Sequence, residues 1–214
     1  RGGMGRVYEA RNDAIGKRVA LKTLHPEVAK NREAAARFQR EAQAASAVES
    51  PHIVEIFDAG FADDGTPFIV MELMRGESLA AHIKRVGPLS FDETTRIVRQ
   101  LLRGLAKAHD AGIVHRDLKP DNVFLVDRED DPNFVKILDF GISKVQRELD
   151  TPTTTLTREG AILGTPCYMS PEQSQGFADV DHRTDLWSVG AIVHECLTGR
   201  PPFAGTTYGQ IVVQ

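Results

Sequence analysis

Apolar and polar positions change their period along the chain, and each change marks an element. Residues 1 to 24 alternate glycine-rich turn with β-branched and aromatic positions, so Val7-Tyr8 and Val19-Ala20-Leu21 are predicted strands of a small antiparallel sheet. From about Asn31 to Val48 the period becomes helical, with Phe38, Glu41, Ala42, Ala45 and Val48 on one stripe. A carboxylate therefore sits among apolar neighbours. Strand character resumes over Ile53 to Phe57 and Phe68 to Leu73, separated by the turn-rich run from Ala62 to Pro67. After Arg75-Gly76 the pattern predicts longer helices. The clearest runs from Phe91 to Asp110, with Ser90 as N-cap, Glu93 completing a capping box, and Gly112 just past the end. A sheet-rich half thus gives way to a helix-rich half near residues 72 to 76. Further on, Val123 to Val126 and Val135 to Leu138 form a second predicted hairpin, joined by the acidic turn from Asp127 to Phe134.

Composition narrows the classes. With 214 residues, 41% apolar and 26% charged, the chain can bury a sizeable core. A net charge of −4, with 26 Lys and Arg scattered along the chain, gives no basic field for nucleic acid. Two cysteines, Cys167 and Cys196, support no disulfide framework and are expected as free thiols in a reducing compartment. No apolar run within the chain approaches the roughly 20 residues that span a bilayer. Arg1 stands where an initiator Met would, and Gln214 falls within a helical pattern, so both ends are expected to lie inside a longer protein.

Candidate chemistry gathers in a few places. Gly2-Gly3-Met4-Gly5 precedes Val7, and a turn without β-carbons brings backbone N–H groups close to phosphate oxygens; a plain hairpin turn is the competing account. Lys22 closes the second strand. It supplies the cation that an inward-facing Glu41 needs, unless Glu41 is only a tilted surface residue. The run from Ile113 to Leu125 packs His115-Arg116-Asp117-Leu118-Lys119-Pro120-Asp121-Asn122 between two apolar stretches, which puts these polar residues on a loop against the core. In an antiparallel hairpin the start of the first strand lies beside the end of the second, so Asn122 and Asp139 become neighbours. A carboxylate and an amide oxygen, with Asp117 nearby, suit Mg²⁺ carrying phosphates; a capped hairpin with solvated Asp and Asn is the alternative.

Taken in order, these motifs resemble the protein kinase family, and specifically its eukaryotic-like (Hanks-type) serine/threonine members of the bacterial branch; the family's signature set is a standard worked case. Gly2, Gly5 and Val7 match the glycine-rich loop, Lys22 the phosphate-binding lysine, and Glu41 its helix partner. His115-Arg116-Asp117 with Asn122 matches the catalytic loop, Asp139-Phe140-Gly141 the metal-binding motif, and Ser170-Pro171-Glu172 the end of the activation segment. Asp185-Leu186-Trp187-Ser188-Val189-Gly190 resembles the helix that anchors the catalytic loop.

The resemblance implies an α+β two-lobed fold. Residues 1–72 would be the small lobe, 73–76 the hinge, 77–214 the large lobe, and 139–172 the activation segment. The first glycine of the loop would precede Arg1, and the last helices, which would cover apolar surface around Trp187 and Ile192, would follow Gln214. The implied cofactors are ATP and Mg²⁺, with Mn²⁺ as a substitute. Lys22 would hold the α- and β-phosphates, Asn122 and Asp139 the metal, and Asp117 would take the proton of a protein hydroxyl while Lys119 lowers charge repulsion. Val7, Ala20 and Phe124 would sandwich adenine, with Met71 at the back and hinge backbone from Glu72 to Met74 hydrogen-bonding to it. Lys119 and Thr165 imply Ser/Thr specificity.

Arg116 would receive a phosphate on the activation segment, from Thr157 or its neighbours Thr153, Thr154 and Thr155, added through self-association in trans. Partners would be protein substrates and no nucleic acid, in the cytoplasm, with membrane anchoring elsewhere in the parent left open. A pseudokinase, a small-molecule phosphotransferase and a nucleotide-binding regulatory module are the rival readings. His115 is expected to pack against Phe140 as scaffolding, and the other histidines have no metal-ligand spacing.

Overall fold

A computed structural model describes residues 5–24, 42, 46–140, 166–177, 179–205 and 208–212. The first sheet has four antiparallel strands in the order β1 (Gly5–Arg11), β2 (Arg18–Leu24), β4 (Pro67–Glu72), β3 (Ile56–Phe61). β1 and β2 enclose both predicted N-terminal strands. Gly5 is needed here for packing, since a β-carbon on it would lie 2.1 Å from the Thr23 carbonyl oxygen. Most of the predicted helix from Asn31 to Val48, including Glu41, lies outside the described residues; Ala42 and Ser46 are helical, and Ala42 is buried against Leu24 and Ile69.

The first of the two middle strands begins later than predicted, at Ile56 instead of Ile53. The apolar residues Ile53 and Val54 serve another partner. The Val54 N–H donates to the Ile137 carbonyl at 3.0 Å, the Ile137 N–H donates to the His52 carbonyl at 2.8 Å, and Ile53 is buried in the larger core. A short apolar run thus ties the first sheet to the helical half.

The second sheet orders β5 (Gly76–Ser78), β6 (Val123–Val126) and β7 (Phe134–Ile137), all antiparallel, with Val123 opposite Ile137. Helix α1 (Leu79–Val86) follows β5 directly, and α2 spans the predicted Phe91–Asp110. Ser90 caps α2 by accepting from the Glu93 N–H, but the capping box is not formed. The Glu93 carboxylate instead accepts from Asn133 Nδ2 at 2.9 Å and sits 3.2 Å from His82 Nε2, because these partners are packed over the first turn. Further along α2, Gly104 lets the helix approach the hairpin: a β-carbon there would meet Ile137 Cδ1 at 2.7 Å.

Short helix α3 (Pro171–Ser174), the long α4 (Arg183–Thr198) and α5 (Tyr208–Val212) complete the described elements. Leu79, Ile97, Leu101, Leu105, Val123, Val135, Ile137 and Ile192 form a fully enclosed core where α1, α2 and α4 meet the second sheet. Ile192 is therefore not surface awaiting a cover, as the sequence reading supposed. α4 turns it inward, while Trp187 stays 41% exposed and stacks on Phe203. Among the described residues no helix is long and apolar enough to cross a membrane. The architecture is the expected α+β class.

Candidate active site

Five side chains share one face of the first sheet. Val7 lies opposite Lys22, Lys22 opposite Ile69, and Ala20 opposite Met71; because residues two apart on a strand point the same way, these form a continuous surface. Val7 is exposed and Ala20 buried, so the surface is open at β1 and closed toward β4. From this face Lys22, nearly enclosed, reaches Asp139, whose Oδ1 accepts from Nζ at 2.6 Å. That partner was not assigned in the sequence reading. Ala42, Ile56, Ile69, Met71, Asp139 and Phe140 line a cleft beside the pair.

Asp139 follows β7, and Asn122 precedes β6. The Leu138 N–H donates to the Asn122 carbonyl at 2.8 Å, so the hairpin brings the two together as its register requires. Asn122 Nδ2 donates to the Asp117 carbonyl at 2.7 Å and lies 3.4 Å from Asp117 Oδ2. This orients the amide so that its Oδ1 remains the acceptor. Lys119 Nζ donates to Asp117 Oδ2 at 2.8 Å. Lys119, Asp117 and Asn122 thus form one polar cluster, and Lys22 with Asp139 forms a second beside it at the same open end of the hairpin.

Two backbone positions beside these clusters are held in a costly shape. Arg116 has φ 64° and Asp139 φ 57°, a left-handed region that residues with a β-carbon occupy at a cost of order 1 kcal/mol. Asp185, fully buried near the start of α4, holds the first of these in place. Its carboxylate accepts the His115 N–H at 2.9 Å, the Arg116 N–H at 2.8 Å and the His109 Nε2–H at 2.7 Å. On the other side, Gln173 Nε2 donates to the Arg116 carbonyl at 2.7 Å. The Arg116 side chain reaches the Val180 carbonyl at 3.3 Å, and its buried Nε has no partner among the described residues.

His115 is scaffolding, as expected. Its Nε2–H donates to the Leu138 carbonyl at 2.8 Å, Nδ1 accepts from the Asp117 N–H at 3.3 Å, and the ring packs on Phe140 at 4.9 Å. With both nitrogens engaged in this way the ring has neither a spare proton nor a free lone pair for the reaction.

Below the loop, Asp117, Lys119, Tyr168, Met169, Gln173 and Ser188 border a second cleft. The Tyr168 hydroxyl donates to the Glu195 carboxylate. Burial first, then that bond, push the Tyr168 phenol up, and burial raises the Glu195 carboxyl. Burial also raises Cys167 and pushes Cys196 up to about 12, so both are thiols and not reactive thiolates.

Just before the hinge, the Glu72 N–H donates to the Glu55 carbonyl at 3.0 Å and its carboxylate pairs with Lys136. Met74 and Phe124 are half-buried, Phe124 lying between Ser78 and Lys136 in the second sheet. Gly2, Gly3, Glu41, Thr165 and the threonines Thr153, Thr154, Thr155 and Thr157 lie outside the described residues.

The sequence reading missed Lys136, Gln173 and the individual part of Asp185. Only the last left a signal, a carboxylate in the first turn of its helix, just ahead of the apolar stretch from Val189 to Val193.

The chain matches the protein kinase domain family over residues 1–214. It is 46% identical over 202 residues to the serine/threonine-protein kinase pkn3 of Myxococcus xanthus, covering 94% of this chain and 37% of that protein. It is 40% identical over 207 residues to a probable serine/threonine-protein kinase, CE0033, of Corynebacterium efficiens, covering 95% of this chain and 30% of the relative. The chain thus spans about a third of the length of these relatives. The crystal structure of the Mycobacterium tuberculosis PknI kinase domain superposes with TM-score 0.73 at 31% identity, covering 95% of this chain and 72% of that one. With the family match running from first residue to last, and the hairpin, loop and anchoring helix arranged around one cleft, this chain belongs to the protein kinase domain family.

Proposed function

We propose that this domain is an ATP-dependent serine/threonine protein kinase, with residues 1–72 as small lobe, 73–76 as hinge and 77–214 as large lobe. The observation that supports it most is the Lys22–Asp139 pair beside the Asp117–Lys119–Asn122 cluster. A cation for phosphate, two oxygen donors for a metal and a carboxylate for a hydroxyl proton converge at the open end of one hairpin.

The residues fit Mg²⁺, since the Asp139 carboxylate and the Asn122 amide oxygen are hard donors and Asn122 is held with its nitrogen turned toward Asp117. When bound, the metal would neutralise charge on the phosphates. Lys22 would hold the α- and β-phosphates, oriented by Glu41. Val7 and Ala20 would cover adenine above Phe124, with Met71 behind and backbone groups from Glu72 to Met74 in front. Asp117 would accept the proton of a Ser or Thr hydroxyl as its oxygen bonds to the γ-phosphorus and the bond to ADP breaks. Lys119, already bonded to Asp117, lowers repulsion between that oxygen and the phosphoryl group.

Substrates are proteins, the location is cytoplasmic, and activation proceeds by self-association and phosphorylation of Thr157 or its neighbours. The buried Arg116 Nε, without a partner among the described residues, is consistent with an anion arriving there.

The test is phosphate transfer from ATP to a generic protein acceptor by the full-length protein and its Asp117→Asn variant. Transfer should fall by roughly 10³-fold or more with nucleotide binding retained. Wild-type nucleotide binding without transfer would instead establish a pseudokinase.

A further inference from the structure

Lys136 is 6% exposed, a burial that lysine accepts only when fully partnered. It stands on β7 three residues before Asp139. Its ammonium donates to the Ile53 carbonyl at 3.1 Å and to the Glu72 carboxylate. The same Glu72 oxygen accepts the Glu55 N–H at 2.8 Å, and the Glu72 N–H returns to the Glu55 carbonyl. One buried cation therefore joins the strand leading to Asp139, the loop of residues 52–55, and the residue that leads into the hinge.

An apolar pair of equal volume would serve stability as well or better, because two charges must be desolvated to make this one. What an apolar pair lacks is direction. The charged contacts set the distance between the hinge backbone and β7, and they hold it from the face that Lys136 shares with Phe124, its cross-strand partner.

We propose that Lys136 is a positioning residue for nucleotide binding. Through Glu72 it fixes the backbone of residues 72–74 against β7, so the groups that meet the adenine and those that meet the phosphates keep one spacing. The inference rests on the proposed function above. Its signature is weakened nucleotide affinity with the chemical step spared, because Asp117 and Lys119 stand on a separate loop.

The experiment compares the full-length protein with Lys136→Met, Lys136→Arg and the double variant Lys136→Met/Glu72→Met. It measures KM for ATP, kcat, ADP–Mg²⁺ affinity by calorimetry, and melting temperature. Lys136→Met should raise KM and weaken ADP binding about tenfold while kcat changes less than about twofold. Lys136→Arg, which keeps the cation, should stay within about threefold of wild type. The double variant leaves no unpaired buried charge, so it should regain melting temperature yet keep the raised KM. That separates positioning from folding even if the single variant folds poorly. Unchanged KM and ADP affinity in the double variant overturns the inference while leaving the kinase reading intact. A wild-type protein that binds no nucleotide overturns both.

Discussion

Replacing Asp185 tests how the catalytic loop is held. The carboxylate is fully buried and accepts three hydrogen bonds, two from loop N–H groups and one from His109. A hydrogen bond to a charged group is worth about 1.5–3 kcal/mol, and removing one member of a buried charged network costs about 3–5 kcal/mol. Asp185→Ala should therefore lose about 3–5 kcal/mol, a large part of the ~5–15 kcal/mol that holds a typical domain together. Asp185→Asn is the sharper probe. His115 N–H and His109 Nε2 share Oδ2, so the amide oxygen will take that side and present its NH₂ to the Arg116 N–H. One donor then faces a donor, at a cost of about 1–3 kcal/mol. The lost contact is the one that holds Arg116 at φ 64°, immediately before Asp117. Turnover should fall on the order of 10- to 100-fold, with KM for ATP changed much less, since a displacement of about 1 Å at a reacting group costs that much. Urea unfolding and steady-state kinetics on the full-length protein measure both. An Asp185→Asn variant with wild-type kcat, or one as unstable as Asp185→Ala, would refute this account of the loop.

Other outcomes follow from single features. Asp139→Asn should abolish productive Mg²⁺–ATP binding in calorimetry and, by removing the partner of Lys22, loosen the cleft. Tyr168→Phe strips the half-buried Glu195 of its donor and should cost about 1–3 kcal/mol in a denaturant melt. Glu77, paired with Arg85 and His82, has its carboxyl lowered from 4.5 to about 2. The folded state thus favours the carboxylate, so this contribution is complete above pH 4.5, fades as pH falls toward 2, and should be missing from the acid-melting profile of Glu77→Gln. Mass spectrometry of the full-length protein after incubation with ATP and Mg²⁺ should find phosphate between Thr151 and Thr157. Its absence, with an unchanged rate when these threonines are replaced, would remove activation-loop control.

Much of the fold was legible because it depends on near neighbours. Strands β1 and β2, the exact span of α2 and the β6–β7 hairpin each follow from a local period and its punctuation by Ser90, Gly112 and the acidic turn. The hairpin rule also brought Asn122 to Asp139 without knowledge of the rest of the chain. Where local pattern misled, a distant partner had intervened. Ile53 and Val54 look like the start of a strand, but the Val54 N–H is claimed by Ile137 and the Ile53 side chain by the larger core. Glu93 satisfies the spacing of a capping box, yet Asn133 and His82 lie closer to hand.

The amino-acid sequence alone determined which residues could carry phosphate, metal and proton, because residue type and local spacing declare those capacities. Only the tertiary structure decided whom they meet. Lys22 and Asp139 are 117 positions apart, His115 and Asp185 are 70, and Glu72 and Lys136 are 64. No period links such pairs. A charge becomes a partner, rather than a solvated surface group, only when burial of the surrounding apolar faces removes water from it and leaves one opposite group within reach.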